Sequence, residues 1–392
     1  MVGGFSKYFK GDNVIWVVIL LLSIISLLAV YSSTGTLAFR YKEGNTAYYI
    51  LKHATFLSFG LIIIFIVHLI PYKIYIGLSQ LLLLIAIPLL LITLLIGTNL
   101  NQASRWLTVP GLGLTFQTSD FAKLALIMYV ARILSQRQDR IRYFKEVFLP
   151  VIIPVLIITL LILPANFSTA ALVFITCMFL MFIGRIPFKY LLSLSIIGIT
   201  AIGLFIVIAL AVDSEGRIET WKHRVENYID KDSEGNYQAN QAKIAIATGG
   251  VLGKGPGNST QRYFLPHPYS DFIYAIIAEE YGLTGAVFVL FMYLYLLYRA
   301  GVIVRKSERT FPAFLAVGLS MLLVFQAMVN MAVSVNLLPV TGQTLPLVSM
   351  GGSSLLFTSI SLGIILSVSR NIKSKSAKKL NSDDKEEVED AA

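Results

Sequence analysis

Runs of apolar residues long enough to cross a bilayer recur from one end of the 392-residue chain to the other, as in "VIWVVILLLSIISLLAV" and "LLLLIAIPLLLITLLIG". In hydrocarbon every backbone N–H and C=O must be satisfied within the protein, which leaves helices and closed barrels. Barrel strands alternate apolar and polar residues, and these runs do not. Charged residues make up 14% of the chain and hydrophobic ones 56%, whereas a soluble domain carries roughly a quarter charged residues. The fold class is an all-α polytopic membrane protein.

Counting apolar stretches of roughly 17 to 25 residues predicts about ten transmembrane helices, near 14–32, 47–70, 73–97, 115–135, 147–164, 167–185, 188–212, 271–298, 310–336 and 345–369. The segment from Val14 to Tyr31 lacks a small-residue cleavage site and reads as the first span rather than a removable signal. Lys7 and Lys10, the loop 132–145, Arg185 with Lys189, the loop 299–309 and the basic tail share one face if the number of spans is even. The positive-inside pattern then puts both termini in the cytoplasm. The organisation is a short cytoplasmic N-terminus (1–13), one membrane domain (14–370) and a polar tail (371–392) expected to be disordered. A large extracytoplasmic loop, 213–270, joins the seventh and eighth spans.

The formal charge of +10 follows from these basic loops and does not call for nucleic acid. The single cysteine, Cys177, lies in an apolar run and excludes an intrachain disulfide. No GxxxxGK[ST], HExxH or Cys/His cluster is present. His53, His68, His223 and His267 are scattered, with His267 near enough to Asp271 to tune it. Any reaction must draw on an activated substrate or an ion gradient.

Carboxylates in or beside a bilayer are functional suspects. Asp271 opens the eighth span, where Ser270 or Asp271 could cap the helix or Asp271 could do chemistry. Glu279 and Glu280 lie about 12 Å deeper by helical rise. Adjacent positions point about 100° apart, so the two are not expected to face one site, and one should pair with a cation. Asp120 and Lys123, spaced i, i+3, read first as an ion pair. Arg105 could clamp a phosphate through its planar fork. Gln326 and Asn330 share a helix face and point to interhelical hydrogen bonds. The glycines of "GGVLGKGPGNST" read as turn residues or as a close approach to a ligand beside Lys254.

Three blocks carry a resemblance. They are "SRWLTVPGLGLTFQTSDFAKLAL", "GGVLGKGPGNSTQRYFLPHPYSDFIYAIIAEEYGLTG" and "NLLPVTGQTLPLVSMGGSSLL". Their sequence and order resemble the SEDS family, typified by FtsW, RodA and SpoVE. The resemblance covers the chain from about residue 14 to 370 and implies a peptidoglycan glycosyltransferase. Such an enzyme polymerises lipid II, a diphosphate-linked lipid precursor, at the outer face of the bacterial inner membrane. The family's essential aspartate falls on Asp271, implied to be the general base. Its Arg-Trp falls on Arg105 and Trp106, and its "SELAK" block on Ser119, Asp120 and Lys123. Candidate diphosphate and sugar contacts are Arg105, Lys123, Lys254, Gln241, Ser353 and Ser354, with Asp120, Glu279, Glu280, Gln326 and Asn330 as structural support.

Two departures stand out: Asn166 occupies an acidic position of the family, and Tyr263 and His267 stand where acids are common. Asp271 is thus the only acid of its motif. The resemblance further implies a class B penicillin-binding protein and other divisome proteins as partners. A divalent cation, magnesium or manganese, is a further expectation. The first span's "LAVYSST" and the short first outer loop look more like the division branch (FtsW) than the elongation branch (RodA), which implies a place at the septum. The alternative activity is a lipid II flippase, in which Asp120, Lys123, Glu279 and Glu280 would line a path.

Overall fold

The computed structural model describes residues 10–35, 37, 39, 43–100, 103–108, 115–211 and 237–390. Helices α1 (Asn13–Ser33), α2 (Thr46–Leu69) and α3 (Lys73–Ile96) come first. A small sheet follows, made of β1 (Thr98–Leu100), β2 (Ala103–Thr108) and β3 (Thr115–Gln117). Next come α4 (Thr118–Gln136), α5 (Leu149–Ile162, entered through a π turn at Phe144–Phe148), α6 (Phe167–Ile183) and α7 (Phe188–Ala211). The chain ends with α8 (Tyr237–Gly249), α9 (Ile273–Lys306), α10 (Thr310–Ser334) and α11 (Ser353–Asp390).

Among the described residues seven helices are long and apolar enough to cross a membrane: α1, α2, α3, α5 with its π turn, α9, α10 and the first part of α11. The protein is a polytopic membrane protein. Helix α4 misses that standard: it carries three charged residues, Asp120, Lys123 and Arg132, the first two buried inside the bundle. Helix α10 is the most enclosed of the seven, with 83% of its apolar window buried, so it forms the centre around which the others pack.

Three expectations need correction. The fold is not purely helical, because Thr98–Leu100, Ala103–Thr108 and Thr115–Gln117 form an antiparallel three-stranded sheet in the order β1-β2-β3. Its outer strands have only three residues each, too short for an alternating pattern to register. The last helix begins at Ser353 rather than near 345, since 345–349 is a buried non-helical loop. The segment 213–270, expected to be one large loop, contains a helix, α8, which packs against α9; residues 212–236 lie outside the described residues.

One end of the bundle is tied by Asp12. Its carboxylate caps α1, accepting from Val14 N–H at 2.9 Å, and takes the Arg299 guanidinium from the end of α9 through Nε at 3.1 Å and through Nη2. Its N–H donates to Ser369 Oγ of α11 at 2.9 Å. The start of α1 and the distal parts of α9 and α11 therefore meet at one end, with Arg305 and Arg370 close in sequence to the knot. Asp271 belongs to the opposite end of α9.

Helix α9 is two arms folded at Gly282, whose φ of 68° and ψ of −166° are non-helical. Tyr274 Oη donates to Ala286 O at 3.2 Å. In a straight helix those residues would stand ~18 Å apart along the axis, so arm 273–281 is turned back onto arm 283–306. The loop after α8 fills the break. Lys254 N–H and Gly255 N–H donate to Glu279 O at 3.0 Å and Glu280 O at 2.9 Å. In return Leu283 N–H and Thr284 N–H donate to Gly250 O at 2.9 Å and Val251 O at 3.2 Å. A helix interrupted inside a membrane protein must have its freed groups satisfied in this way.

Candidate functional site

The turn that carries Asp271 is fixed through its backbone. The carbonyls of Tyr269, Ser270 and Asp271 each accept one hydrogen bond, from Met350 N–H at 2.9 Å, Ser349 Oγ at 2.6 Å and Asn330 Nδ2 at 2.9 Å. The side chain is half-buried and accepts from Ser270 Oγ at 2.8 Å. Asp271 is not the helix cap: α9 is capped at Phe272, which has no side-chain acceptor. His267 meets Tyr269 Oη at 3.2 Å and is exposed, so its described partner is the tyrosine rather than Asp271.

A buried polar layer lies behind this turn. Asp120 and Lys123 pair at 2.7 Å with side chains 6% exposed each, as their spacing predicts. Lys123 Nζ also donates to Gln326 Oε1 at 3.2 Å, and Gln326 Nε2 donates to Thr344 O at 3.0 Å. Asn330 Nδ2 bridges Asp271 O and Gln343 O, the latter at 2.7 Å. Gln343 Nε2 reaches Thr169 Oγ1 at 2.7 Å, and Asn166 caps α6 by accepting from Thr169 N–H at 3.2 Å. Gln326 and Asn330 are thus interhelical fasteners. Asn166 does helix-capping work that needs an acceptor but no charge.

Breaking the ion pair from one side leaves an unpaired charge in the interior, which costs far more than removing both partners. Lys123→Met is expected to destabilise the protein by about 3 kcal/mol. The double variant Asp120→Asn/Lys123→Gln should recover most of that loss in thermal unfolding of the detergent-solubilised protein. Equal melting temperatures for the single and double variants would refute the buried-charge argument.

Lys254 and the glutamate pair form a second cluster. Glu279 Oε1 accepts from Lys254 Nζ at 2.5 Å, Thr260 Oγ1 at 2.8 Å and Thr260 N–H at 3.1 Å. Its Oε2 accepts from Ser259 Oγ at 2.5 Å and Gln261 N–H at 3.2 Å. Glu280 accepts from Ser32 Oγ of α1 and from Ser259 N–H at 3.3 Å. The pair was expected to diverge; instead both reach the same loop, because 254–262 wraps the arm from two sides. Of the preceding glycines, Gly249 and Gly253 allow close approach to the α9 backbone at Ala278 O and Glu280 O. Arg262, which sequence reasoning passed over, donates from Nη1 to Ser32 O at 3.2 Å and Ser32 Oγ at 3.1 Å.

The remaining candidates sit as follows. Arg105 is on β2, next to Trp106, whose backbone registers with Thr98 and Gln117; the Arg105 side chain lies outside the described residues. Ser353 Oγ accepts from Gln117 N–H at 3.3 Å, joining the sheet to the start of α11. Ser354 Oγ meets Thr344 Oγ1 at 2.9 Å. Gln241 is on α8, and no described hydrogen bond links it to the Asp271 turn. Ser349, Gln343 and Thr344 were missed as site residues. Their signal was present, as polar side chains in a proline-flanked segment between two apolar runs.

A polytopic bundle with a half-buried carboxylate on a backbone-clamped turn and a buried ion pair behind it defines a membrane-embedded protein with a polar centre. The family model described as cell cycle protein, covering FtsW, RodA and SpoVE, matches residues 12–374. The chain belongs to this FtsW/RodA/SpoVE family. Among its relatives, the probable peptidoglycan glycosyltransferase FtsW of Halomonas elongata is 32% identical over 360 residues, covering 90% of this chain and 89% of the relative. The stage V sporulation protein E of Bacillus subtilis is 31% identical over 372 residues, covering 93% and 98%. A chain from a peptidoglycan synthase complex that coordinates polymerization and crosslinking superposes with a TM-score of 0.72 at 26% identity, covering 92% of this chain and 98% of that one. A variant of the rod shape determining protein RodA of Thermus thermophilus gives 0.67 at 25% identity, covering 92% and 98%.

Proposed function

We propose that the chain is a peptidoglycan glycosyltransferase that polymerises lipid II into glycan strands, with Asp271 as the general base on the acceptor sugar hydroxyl. The observation that carries this reading is the Asp271 turn: three consecutive carbonyls are gripped by α10 and the loop before α11, while the carboxylate is half-buried and is not the helix cap. Family membership supports the same activity.

In the reaction the carboxylate takes the acceptor proton as that oxygen attacks the donor's anomeric carbon. The bond from that carbon to the diphosphate oxygen breaks, and the electron pair leaves with the diphosphate. A diphosphate is already a good leaving group, so one carboxylate suffices and no nucleotide is consumed. Lys123 and Lys254 commit their charge to Asp120 and Glu279 and act on the site's field rather than as free clamps. Arg105 is the stronger candidate for a direct phosphate contact. Among the described residues no three His, Cys, Asp or Glu side chains gather as metal ligands. These residues do not form a divalent-cation cage, and no step is routed through one.

In this reading ten helices span the bacterial inner membrane, both termini are cytoplasmic, and the Asp271 end faces outward. The partner is a class B penicillin-binding protein within the divisome, and the place of action is the septum. Depletion giving filaments or chains supports the division role; rounded cells support elongation. A flippase path through Asp120, Lys123, Glu279 and Glu280 is disfavoured, because these groups are engaged in closed buried contacts. The experiment is polymerisation of lipid II by the purified chain with its partner, parent against Asp271→Asn. Parental glycan synthesis by the variant would overturn the mechanism.

A further inference from the structure

The loop 345–350 grips the turn before Asp271 at Tyr269 O and Ser270 O, and it is non-helical, with 345–349 buried. Backbone in that position survives only if its polar groups are paired. Its carbonyls recruit different helices: Pro346 O accepts from Tyr293 Oη of α9 at 2.5 Å, and Val348 O accepts from Ser26 Oγ of α1 at 2.8 Å. Between them Leu347, 3% exposed, has φ of 67°. For a leucine this left-handed conformation is unfavourable and persists only where its surroundings over-determine it. Tyr293 thus holds the peptide just before the strained residue, Val348 N–H donates to Leu345 O at 3.1 Å from the peptide just after it, and Ser26 holds the next peptide, between Val348 and Ser349. Beyond the strain, Ser349 Oγ accepts from Leu345 N–H at 2.8 Å and donates to Ser270 O at 2.6 Å, and Met350 N–H donates to Tyr269 O.

Behind Ser26 lies His53 of α2, 1% exposed, with Nε2 2.7 Å from Ser26 Oγ. A serine hydroxyl has one proton. That proton goes to Val348 O, so His53 Nε2–H must be the donor to Ser26 Oγ. The opposite tautomer would pull the hydroxyl proton away from Val348 O and release the peptide that leads into Ser349, whose side chain holds Ser270 O.

We propose that His53 is a positioning residue for Asp271. It commits the Ser26 proton to Val348 and so holds loop 345–350 in the form that grips the catalytic turn. This inference rests on the reading of Asp271 as the base. The chain of contacts runs from α2 through α1 to the site and touches neither substrate nor reacting atoms.

The test is steady-state lipid II polymerisation by the full chain with its partner, alongside thermal unfolding of each variant. His53→Phe keeps a ring of similar size and loses the donor, whereas His53→Gln keeps an N–H donor. His53→Phe and Ser26→Ala are each expected to lower kcat about ten-fold with KM unchanged, because small misplacements at a catalytic group are costly. The double variant should be no slower than Ser26→Ala, since both act through one bond. His53→Gln should restore kcat to within about three-fold of the parent. Parental kcat in His53→Phe would overturn the inference, as would equal slowing by Phe and Gln, which marks a packing role. Asp271→Asn run in parallel separates the two levels. If it is inactive while His53→Phe is unaffected, only the role of His53 fails. If it polymerises at the parental rate, the reading of the site fails and His53 with it.

Discussion

Asp271→Asn is expected to leave the bundle folded and to lower kcat for lipid II polymerisation by two to four orders of magnitude, the usual worth of a positioned general base. The reason lies in how the residue is used. Its backbone carbonyl, unchanged in the variant, takes the hydrogen bond from Asn330, and the neighbouring carbonyls of Tyr269 and Ser270 are held by Met350 and Ser349. Asparagine keeps nearly the same shape and retains an oxygen that can accept from Ser270 Oγ. What it loses is the ability to take a proton. The loss should therefore fall on kcat, with KM for lipid II and the melting temperature near parental values. A variant that instead raised KM at constant kcat would assign Asp271 to binding. Partner binding, followed by co-purification, should be untouched.

How much of this could be read from the sequence depended on the range of the interaction. Ten of the eleven helices coincide with apolar runs, because helical periodicity and bilayer thickness act over one contiguous segment. The Asp120–Lys123 pair was legible for the same reason: three residues on a helix fix the geometry. Helix α8 was not, since "YQANQAKIAIATG" is only mildly apolar and its burial comes from α9. Features created by segments far apart in the chain were also hidden. Gly282 looks like a tolerated glycine in an apolar run until the loop 249–255 docks into it. The Glu279 and Glu280 side chains were assigned to different surroundings by a 100° argument that treats the helix as isolated. Around the folded-back arm, one loop is wide enough to meet both. Likewise nothing near His53 in sequence points to Val348, nearly 300 residues away, which it reaches only through Ser26.

Gly282→Ala is expected to abolish the folded protein, at a cost well above the ~4–5 kcal/mol that already marks an exceptional substitution. Two effects combine. The backbone angles of Gly282 lie in a region that residues with a Cβ hardly enter. An added Cβ would also stand 2.3 Å from Val251 O and 2.5 Å from Gly253 N. Both are backbone atoms, and they cannot retreat without giving up the bonds from Leu283 to Gly250 and from Thr284 to Val251. Gly253→Ala should fail in the same way, with its Cβ 2.2 Å from Glu280 O. Gly301→Ala, in the second arm of the same helix with nothing within 4 Å of the new methyl, should be neutral or slightly stabilising, as alanine favours helix. Size-exclusion profiles and melting curves in detergent compare the three directly. A monodisperse Gly282→Ala protein with a parental melting temperature would mean that the break does not hold the arm. With the break intact, the arm 273–281 keeps Glu279 in its cage and delivers Asp271 to the turn where Asn330, Ser349 and Met350 wait. The glycine is thus as necessary to the proposed chemistry as the carboxylate, although it lies eleven residues away and has no functional group.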